Sequence, residues 1–320
     1  MARFTGKFPT TRLRRNRMKE FSRRLISENN LTVDNLIWPL FVCEGEKIKD
    51  PIKSMPDVFR LSIDSLLKEV KKAVDLKIPA IALFPQIDSS LKNSQGSLAL
   101  DENNLVCRSI RAIKKEFPDK VIVASIMEEP IRENWQKLTE LVCKAGADLI
   151  ELNLSCPHGM PERKMGQAMG QDCSMVQEVT GWVKDVTTVP VWAKMTPNVM
   201  DITQPAASAY KAGADGITAI NTILSVAGVD MKNFKPTPNV KGISAFGGYS
   251  YKSVKPIGLR MVAELAMAFP KSIISGVGGV TDGHSAAEFM CMGSTTLQVC
   301  TGIMLDGFKI VDQLKEELTT

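Results

Sequence analysis

The chain has 320 residues but only two histidines, His158 and His284, and no C-x-x-C pair among its cysteines at 43, 107, 143, 156, 173, 291 and 300. The first scarcity excludes a histidine-rich zinc site, and the second argues against an all-cysteine metal or iron–sulfur site in this sequence. An odd, scattered set of cysteines also argues against a disulfide framework and for a reducing, cytoplasmic setting. No apolar stretch approaches a membrane span, and no signal-peptide h-region follows Met1. Aromatic residues make up 6% of the chain, and none is interleaved within the basic run Thr11-Arg12-Leu13-Arg14-Arg15-Asn16-Arg17. With no aromatic rings for bases to stack on and a net charge of only +5, that run and Arg23-Arg24 read as a solvated arm over residues 1–34. Nucleic acid is not an expected partner.

What is present is material for a core: 44% of residues are hydrophobic, enough for one large α/β domain or two smaller ones. After a short helical segment near Met18 to Ser27, apolar runs bounded by turn residues predict strands at 36–42, 79–84, 121–126, 149–154, 191–194, 216–220, 273–275 and 296–300. Helical spacing between them predicts helices near 62–76, 105–117, 134–145, 174–185, 202–212, 256–268 and 285–292. Eight strands separated by helical crossovers require a parallel sheet, and at this length they point to a single (β/α)8 TIM barrel over residues 35–320. An open doubly wound sheet is the alternative, but no G-x-G-x-x-G follows the first strand.

The most informative stretch is Asn153-Leu154-Ser155-Cys156-Pro157-His158-Gly159. It ends the fourth strand and opens into a Pro/Gly loop, the place where parallel α/β folds put their chemistry. Asn153 both donates and accepts hydrogen bonds, Ser155 does so more weakly, and Cys156 carries a labile proton. A lone cysteine is commonly an inert core residue; its position at a strand end among hydrogen-bonding side chains makes Cys156 a candidate catalyst.

Two family resemblances meet in this sequence. Residues 1 to about 122 resemble porphobilinogen synthase (5-aminolevulinate dehydratase) at Arg12-Leu13-Arg14-Arg15-Asn16, Trp38-Pro39-Leu40-Phe41-Val42, Pro51-Ile52-Lys53-Ser54-Met55-Pro56, Ala82-Leu83-Phe84-Pro85 and Ile110-Arg111-Ala112-Ile113-Lys114. From about Ala124 onward the chain resembles dihydropyrimidine and dihydroorotate dehydrogenases. The matching stretches are Ala124-Ser125-Ile126-Met127, Glu151 to Gly159, Gly166 to Asp172, Ala193 to Asn198, Ala219 to Thr222, Gly247-Gly248-Tyr249-Ser250, Gly276 to Gly279 and Leu297 to Gly302. Both families are (β/α)8 barrels, so a hybrid with strands one and two from residues 35–122 and strands three to eight from residues 123–320 keeps the count needed for closure.

The dehydrogenase resemblance implies FMN and a pyrimidine substrate such as uracil, thymine or dihydroorotate. By that resemblance Cys156 exchanges a proton with the ring, Lys194 supports the flavin, and Asn153, Ser155, Asn221 and Thr222 hold the substrate. Gly248, Gly278, Gly279, Cys300 and Thr301 then join Lys194 in binding the cofactor, with Gly278-Gly279 and Thr301 as the phosphate cradle. Glycine lets backbone N–H groups approach an anion, and strands seven and eight are the usual phosphate position in such barrels. The loop from Gly159 to Asp172 resembles the mobile loop that carries the cysteine over the substrate. The synthase-like part resembles scaffold and oligomerisation arm, which implies a homo-oligomer.

Some family positions are absent. Where the dehydrogenases place small residues and a lysine after strands one and two, this sequence has Cys43-Glu44-Gly45-Glu46 and Pro85-Gln86-Ile87, bringing negative charge to one side of the flavin. No Cys-rich tail follows, so electrons are expected to come through a separate electron-donor subunit. The rivals are a porphobilinogen-forming lyase, whose third strand here continues Ile126-Met127-Glu128-Glu129-Pro130 without the zinc cysteines, and an inactive hybrid barrel.

Overall fold

The computed structural model describes residues 18–19, 36–53, 55–93, 96–156, 161–240, 243–244, 246–307 and 309–319. The expected basic arm and its helix lie outside the described residues. Eight parallel strands form the centre: β1 (Ile37–Val42), β2 (Ala80–Pro85), β3 (Val121–Ile126), β4 (Leu149–Asn153), β5 (Val191–Lys194), β6 (Gly216–Ala219), β7 (Ile273–Val277) and β8 (Thr296–Gln298). The principal helices are α1 (Ile63–Asp75), α2 (Leu105–Glu116), α3 (Arg132–Ala145), α4 (Cys173–Lys184), α5 (Thr203–Lys211), α6 (Lys255–Ala268), α7 (Gly283–Cys291) and α8 (Lys309–Thr319). Among the described residues no helix is long and apolar enough to cross a membrane.

Local chemistry sets the boundaries. Asn104 accepts from the Cys107 N–H at 2.9 Å to start α2, and Asp172 accepts from Ser174 and Met175 N–H groups to start α4. Asp282 and Ser285 cap each other at the start of α7, a reciprocal arrangement that satisfies otherwise orphaned donors. Gly146 ends α3 at φ 106°, a conformation open to glycine at little cost. Alternation along the strands then divides the sheet: Ile122, Ile150, Leu152 and Ile217 are fully buried on the face covered by helices. Each such aliphatic contributes about 1.5–3 kcal/mol by leaving water.

The eight strands run in chain order across the sheet, β8-β7-β6-β5-β4-β3-β2-β1, and the sheet curls but stays open. Among the described residues no ladder joins β1 to β8. The outer edge of β1 is taken instead by Phe59–Leu61, which pairs in parallel with Phe41 and Val42 and itself carries the antiparallel strand Lys49–Pro51. The strand order is that of a (β/α)8 barrel; the architecture is an α/β half-barrel with flanking helices.

Two gaps mark this sheet. Between β2 and β3 only the first three residues pair, Ala80 to Ala82 against Val121 to Val123; beyond them the strands part around an apolar cavity of about 410 Å3 lined by Leu83, Leu105, Ala124, Ile126 and Leu138. Between the edges of the sheet, residues of β1 and β8 face a second cavity of about 270 Å3, with Leu314 of α8 on its wall. The sequence did not predict α8, nor the short ladders over Ile223–Tyr249, because strands of two or three residues carry no period to read.

Candidate active site

The C-terminal ends of β4 to β8 bring one set of polar side chains together. Asn153 on β4 is in register with Lys194 on β5, and Lys194 with Thr218 on β6, so their side chains share the inner face. Glu151, two residues before Asn153, shares that face and is only 5% exposed. The Lys194 ammonium donates to Glu151 Oε1 at 3.2 Å and to Gln298 Oε1 at 2.9 Å. Glu151 Oε2 accepts from Thr218 Oγ1 and from Gln298 Nε2, both at 2.9 Å. The amide of Gln298 has a single workable orientation here, because a lysine needs its oxygen and a carboxylate its nitrogen. Burial pushes the Glu151 carboxyl up, but the Lys194 charge and the hydrogen bonds from Gln298, Thr218 and Lys194 outweigh it and hold the group below the usual range.

Beside this cluster, the Asn221 amide donates to Ser155 Oγ at 2.8 Å and lies 3.5 Å from Asn153 Oδ1. Its own oxygen accepts from the Thr222 N–H at 2.8 Å. The predicted substrate residues Asn153, Ser155, Asn221 and Thr222 are thus one connected group. A cavity of about 120 Å3 opens next to them, lined by Lys194, Asn221, Thr222, Gly278, Gly279, Cys300 and Thr301 among others. Gly278 and Gly279 turn the chain at φ 110° and 98°; a Cβ on Gly279 would lie 2.7 Å from Lys255 Cβ and 3.0 Å from the Tyr251 carbonyl oxygen. Thr301 is held by Ser250, with the hydroxyls 2.8 Å apart. Crowding by protein raises the Cys300 thiol above its usual value, and the Lys194 charge opposes that shift.

Gly248 is not among the residues facing this cavity. It packs against Thr222, where a Cβ would come within 2.3 Å of the hydroxyl. Asn153, Ser155 and Cys156 do not line the cavity either; Asn221 is the link to the first two. Cys156 is half-buried at the start of the loop whose residues 157–160 lie outside the described set. The loop is fastened at several points. Gln167 N–H donates to the Cys156 carbonyl at 3.0 Å, Arg163 forms an ion pair with Glu129, and a Cβ on Gly166 would lie 2.4 Å from the Cys156 oxygen.

Asn198 was not singled out from the sequence, yet it joins three loops. Its amide donates to Gln167, Thr196 and the Thr222 carbonyl at 3.0, 3.0 and 3.3 Å, and its oxygen accepts from the Leu224 N–H at 3.1 Å. Glu151, Thr218 and Gln298 were missed as well. The available signal was parity: each sits on a strand at the inward position defined by Lys194. Among the described residues no group of three His, Cys, Asp or Glu side chains could hold a metal.

Residues 87–320 match the dihydroorotate dehydrogenase family, and residues 10–131 match delta-aminolevulinic acid dehydratase. The first match takes in most of the chain, which belongs to the dihydroorotate dehydrogenase family. The chloroplastic dihydropyrimidine dehydrogenase (NADP(+)) of Arabidopsis thaliana is 50% identical over 66% of this chain and 51% of its own length. The PreA subunit of the NAD-dependent dihydropyrimidine dehydrogenase of Escherichia coli K12 is 43% identical over 68% of this chain and 53% of its own. The catalytic subunit of dihydroorotate dehydrogenase B (NAD(+)) of Pyrococcus abyssi is 41% identical over 64% of this chain and 65% of its own. The chain therefore spans about half the length of the curated dihydropyrimidine dehydrogenases it matches. By structure, it resembles the delta-aminolevulinic acid dehydratase (porphobilinogen synthase) of Toxoplasma gondii ME49 with a TM-score of 0.63, over 93% of this chain and 91% of that one. At 19% identity that likeness concerns the fold alone.

Proposed function

We propose that the chain is an FMN-dependent oxidoreductase acting on a pyrimidine ring, in the manner of the dihydropyrimidine and dihydroorotate dehydrogenases, on a barrel whose first two strands are of porphobilinogen-synthase type. The observation that carries this is the convergence of Lys194, Asn221, Thr222, Gly278, Gly279 and Thr301 on one cavity. The residues fit the cofactor in kind, with an ammonium, a glycine turn and a hydroxyl on one wall, while the cavity of about 120 Å3 is smaller than the ~300 Å3 or more that encloses a whole ligand of this size. For the substrate, the Thr222 hydroxyl is buried with no hydrogen-bond partner among the described residues, an orphan that the polar edge of a pyrimidine would satisfy. On the β1 side, Glu44 is drawn into an ion pair with Arg108 of α2, which offsets the negative charge the sequence placed there.

FMN, when bound, supplies two-electron exchange with the C5–C6 bond of the pyrimidine. The protein's part is binding and proton transfer. Gly278, Gly279 and Thr301 hold the phosphate, and Lys194 supplies positive charge where electron density accumulates. Asn153, Ser155 and Asn221 offer the donors and acceptors that a pyrimidine's amide edges require. Cys156 holds and moves the proton at C5, a task for which a thiol, being a stronger acid than a hydroxyl, is suited. Electrons reach the site through a separate partner. The lyase alternative depends on two active-site lysines; Lys194 is the one lysine on the eight parallel strands.

The test pairs a flavin fluorescence titration with single-turnover oxidation of the photoreduced protein by uracil. Wild type should bind FMN in the micromolar range, weaker than an intact dehydrogenase because the β1 and β2 contacts differ. Cys156→Ala should slow the single turnover by ~10²–10⁴-fold with FMN affinity nearly unchanged, Cys156→Ser should fall between, and Lys194→Ala should weaken FMN first. Equal loss of flavin in the Cys156 and Lys194 variants would make Cys156 a packing residue. Absence of flavin uptake in wild type would favour an inactive hybrid.

A further inference from the structure

The Glu151 carboxylate has no role in the chemistry above, yet it is the most elaborately held charge in the molecule's centre. Both oxygens are engaged: Oε1 by Lys194, and Oε2 by Thr218 and Gln298. Its partners come from β5, β6 and β8, so the group ties four strands of the half-barrel at one point. Gln298 closes the arrangement by touching both charges, accepting from Lys194 and donating to Glu151. With both oxygens engaged by three donors, the carboxylate is held in one orientation, and the lysine, 19% exposed, is fixed at the cavity wall.

We infer that Glu151 is a positioning residue for Lys194 that also offsets its charge, so that the Glu151–Lys194 pair, and not the lysine alone, sets the midpoint potential of the flavin in the neighbouring cavity. A single ammonium beside the flavin would favour the reduced, anionic form without restraint. A carboxylate 3.2 Å behind it turns that monopole into a dipole, whose field falls off faster with distance. The pair is also mutually dependent: a carboxylate this buried keeps its charge only while a cation faces it. The proposal rests on the flavin reading, and its test separates the two.

Glu151→Gln keeps shape and hydrogen bonding but removes the charge. With FMN bound, the ratio of affinities for reduced over oxidised flavin should rise about tenfold or more, an upward potential shift of about 30 mV per factor of ten for a two-electron couple. Lys194→Met should shift the potential downward. In a Lys194→Met background, Glu151→Gln should then change nothing, because an unpaired Glu151 is already neutral. A merely structural Glu151 would leave the potential where it was, and an unchanged or lowered potential in Glu151→Gln overturns the proposal. The flavin-free protein provides the second measurement. Each single variant should lower the melting temperature by roughly 5–10 °C, and the double variant by clearly less than the sum, since it contains neither an unpaired ammonium nor a buried carboxyl forced to take up a proton. Additive losses would refute the positioning of Lys194 by Glu151. A wild type that takes up no FMN overturns the flavin reading together with the potential-setting claim, and leaves the positioning claim to be decided by the melting cycle.

Discussion

Glu128 and Glu151 pose the same problem in opposite forms. Both are buried carboxyls, 6% and 5% exposed, but Glu151 faces an ammonium, whereas the charged neighbour of Glu128 is the Glu129 carboxylate, itself paired with Arg163. Burial pushes the Glu128 group up and the Glu129 charge adds to it, while hydrogen bonds from the Glu129 N–H and Asn134 pull back. A carboxyl whose folded value is raised stabilises the fold fully below its unfolded value, near 4.5, and that contribution is lost as the pH climbs through the folded value. Glu128→Gln should therefore melt higher than wild type at pH ~7, with the gap closing toward pH ~4. Melting curves at the two pH values check this; a gap that persists in acid would mean the charge is not its cause. Glu151 carries the reverse sign: its contribution is present at neutral pH and lost as the pH falls. At this scale the sequence was partly legible. Lys194, Asn221, Thr222, Gly278, Gly279 and Thr301 were placed by resemblance, and they converge. Glu151, Thr218 and Gln298 resemble ordinary strand residues until Lys194 defines which face is inside.

At the scale of elements, all eight parallel strands lie within two residues of their predicted bounds, because each is an apolar run closed by turn residues. The helices between them follow for the same reason, helped by caps such as Asn104 and Asp172. Pairing that depends on distant partners was not legible. Nothing in Phe59-Arg60-Leu61 announces that it will occupy the edge of β1. The loop after β4 is where an element meets function. Gly166, at φ 58°, allows the chain to pass the Cys156 carbonyl so closely that a methyl group has no room. Gly166→Ala should displace Cys156 and slow the single-turnover step by about 10²-fold, the cost of roughly 1 Å of misplacement. Flavin affinity, which depends on β5 to β8, should stay within twofold or so of wild type. A titration run beside the turnover measurement would expose the error if both fall together.

The whole molecule is defined by its two seams. The cavity between β2 and β3 lies in the region, residues 87–131, where the two family matches overlap, and the other lies where β1 approaches β8. Across the stretch where the two matches overlap, the strands keep the order of a barrel while the pairing of β2 with β3 is cut short. Ala124 faces the larger gap and is 5% exposed. Ala124→Val adds two methyl groups and a branched side chain suited to a strand, and should stabilise the chain by ~1 kcal/mol. An upward shift of the urea midpoint with unchanged slope would bear this out; a downward shift would mean the gap is already filled in solution.

The same joints mark where the protein gives way first. Local opening begins where backbone pairing is short and few apolar contacts cross between elements. Clefts of about 410 and 270 Å3 flank β2 and β1, and only three residue pairs join β2 to β3. The amides of β1 and β2 should accordingly exchange with deuterated solvent before those of β4 to β8, which stay assembled around the Lys194–Glu151 cluster.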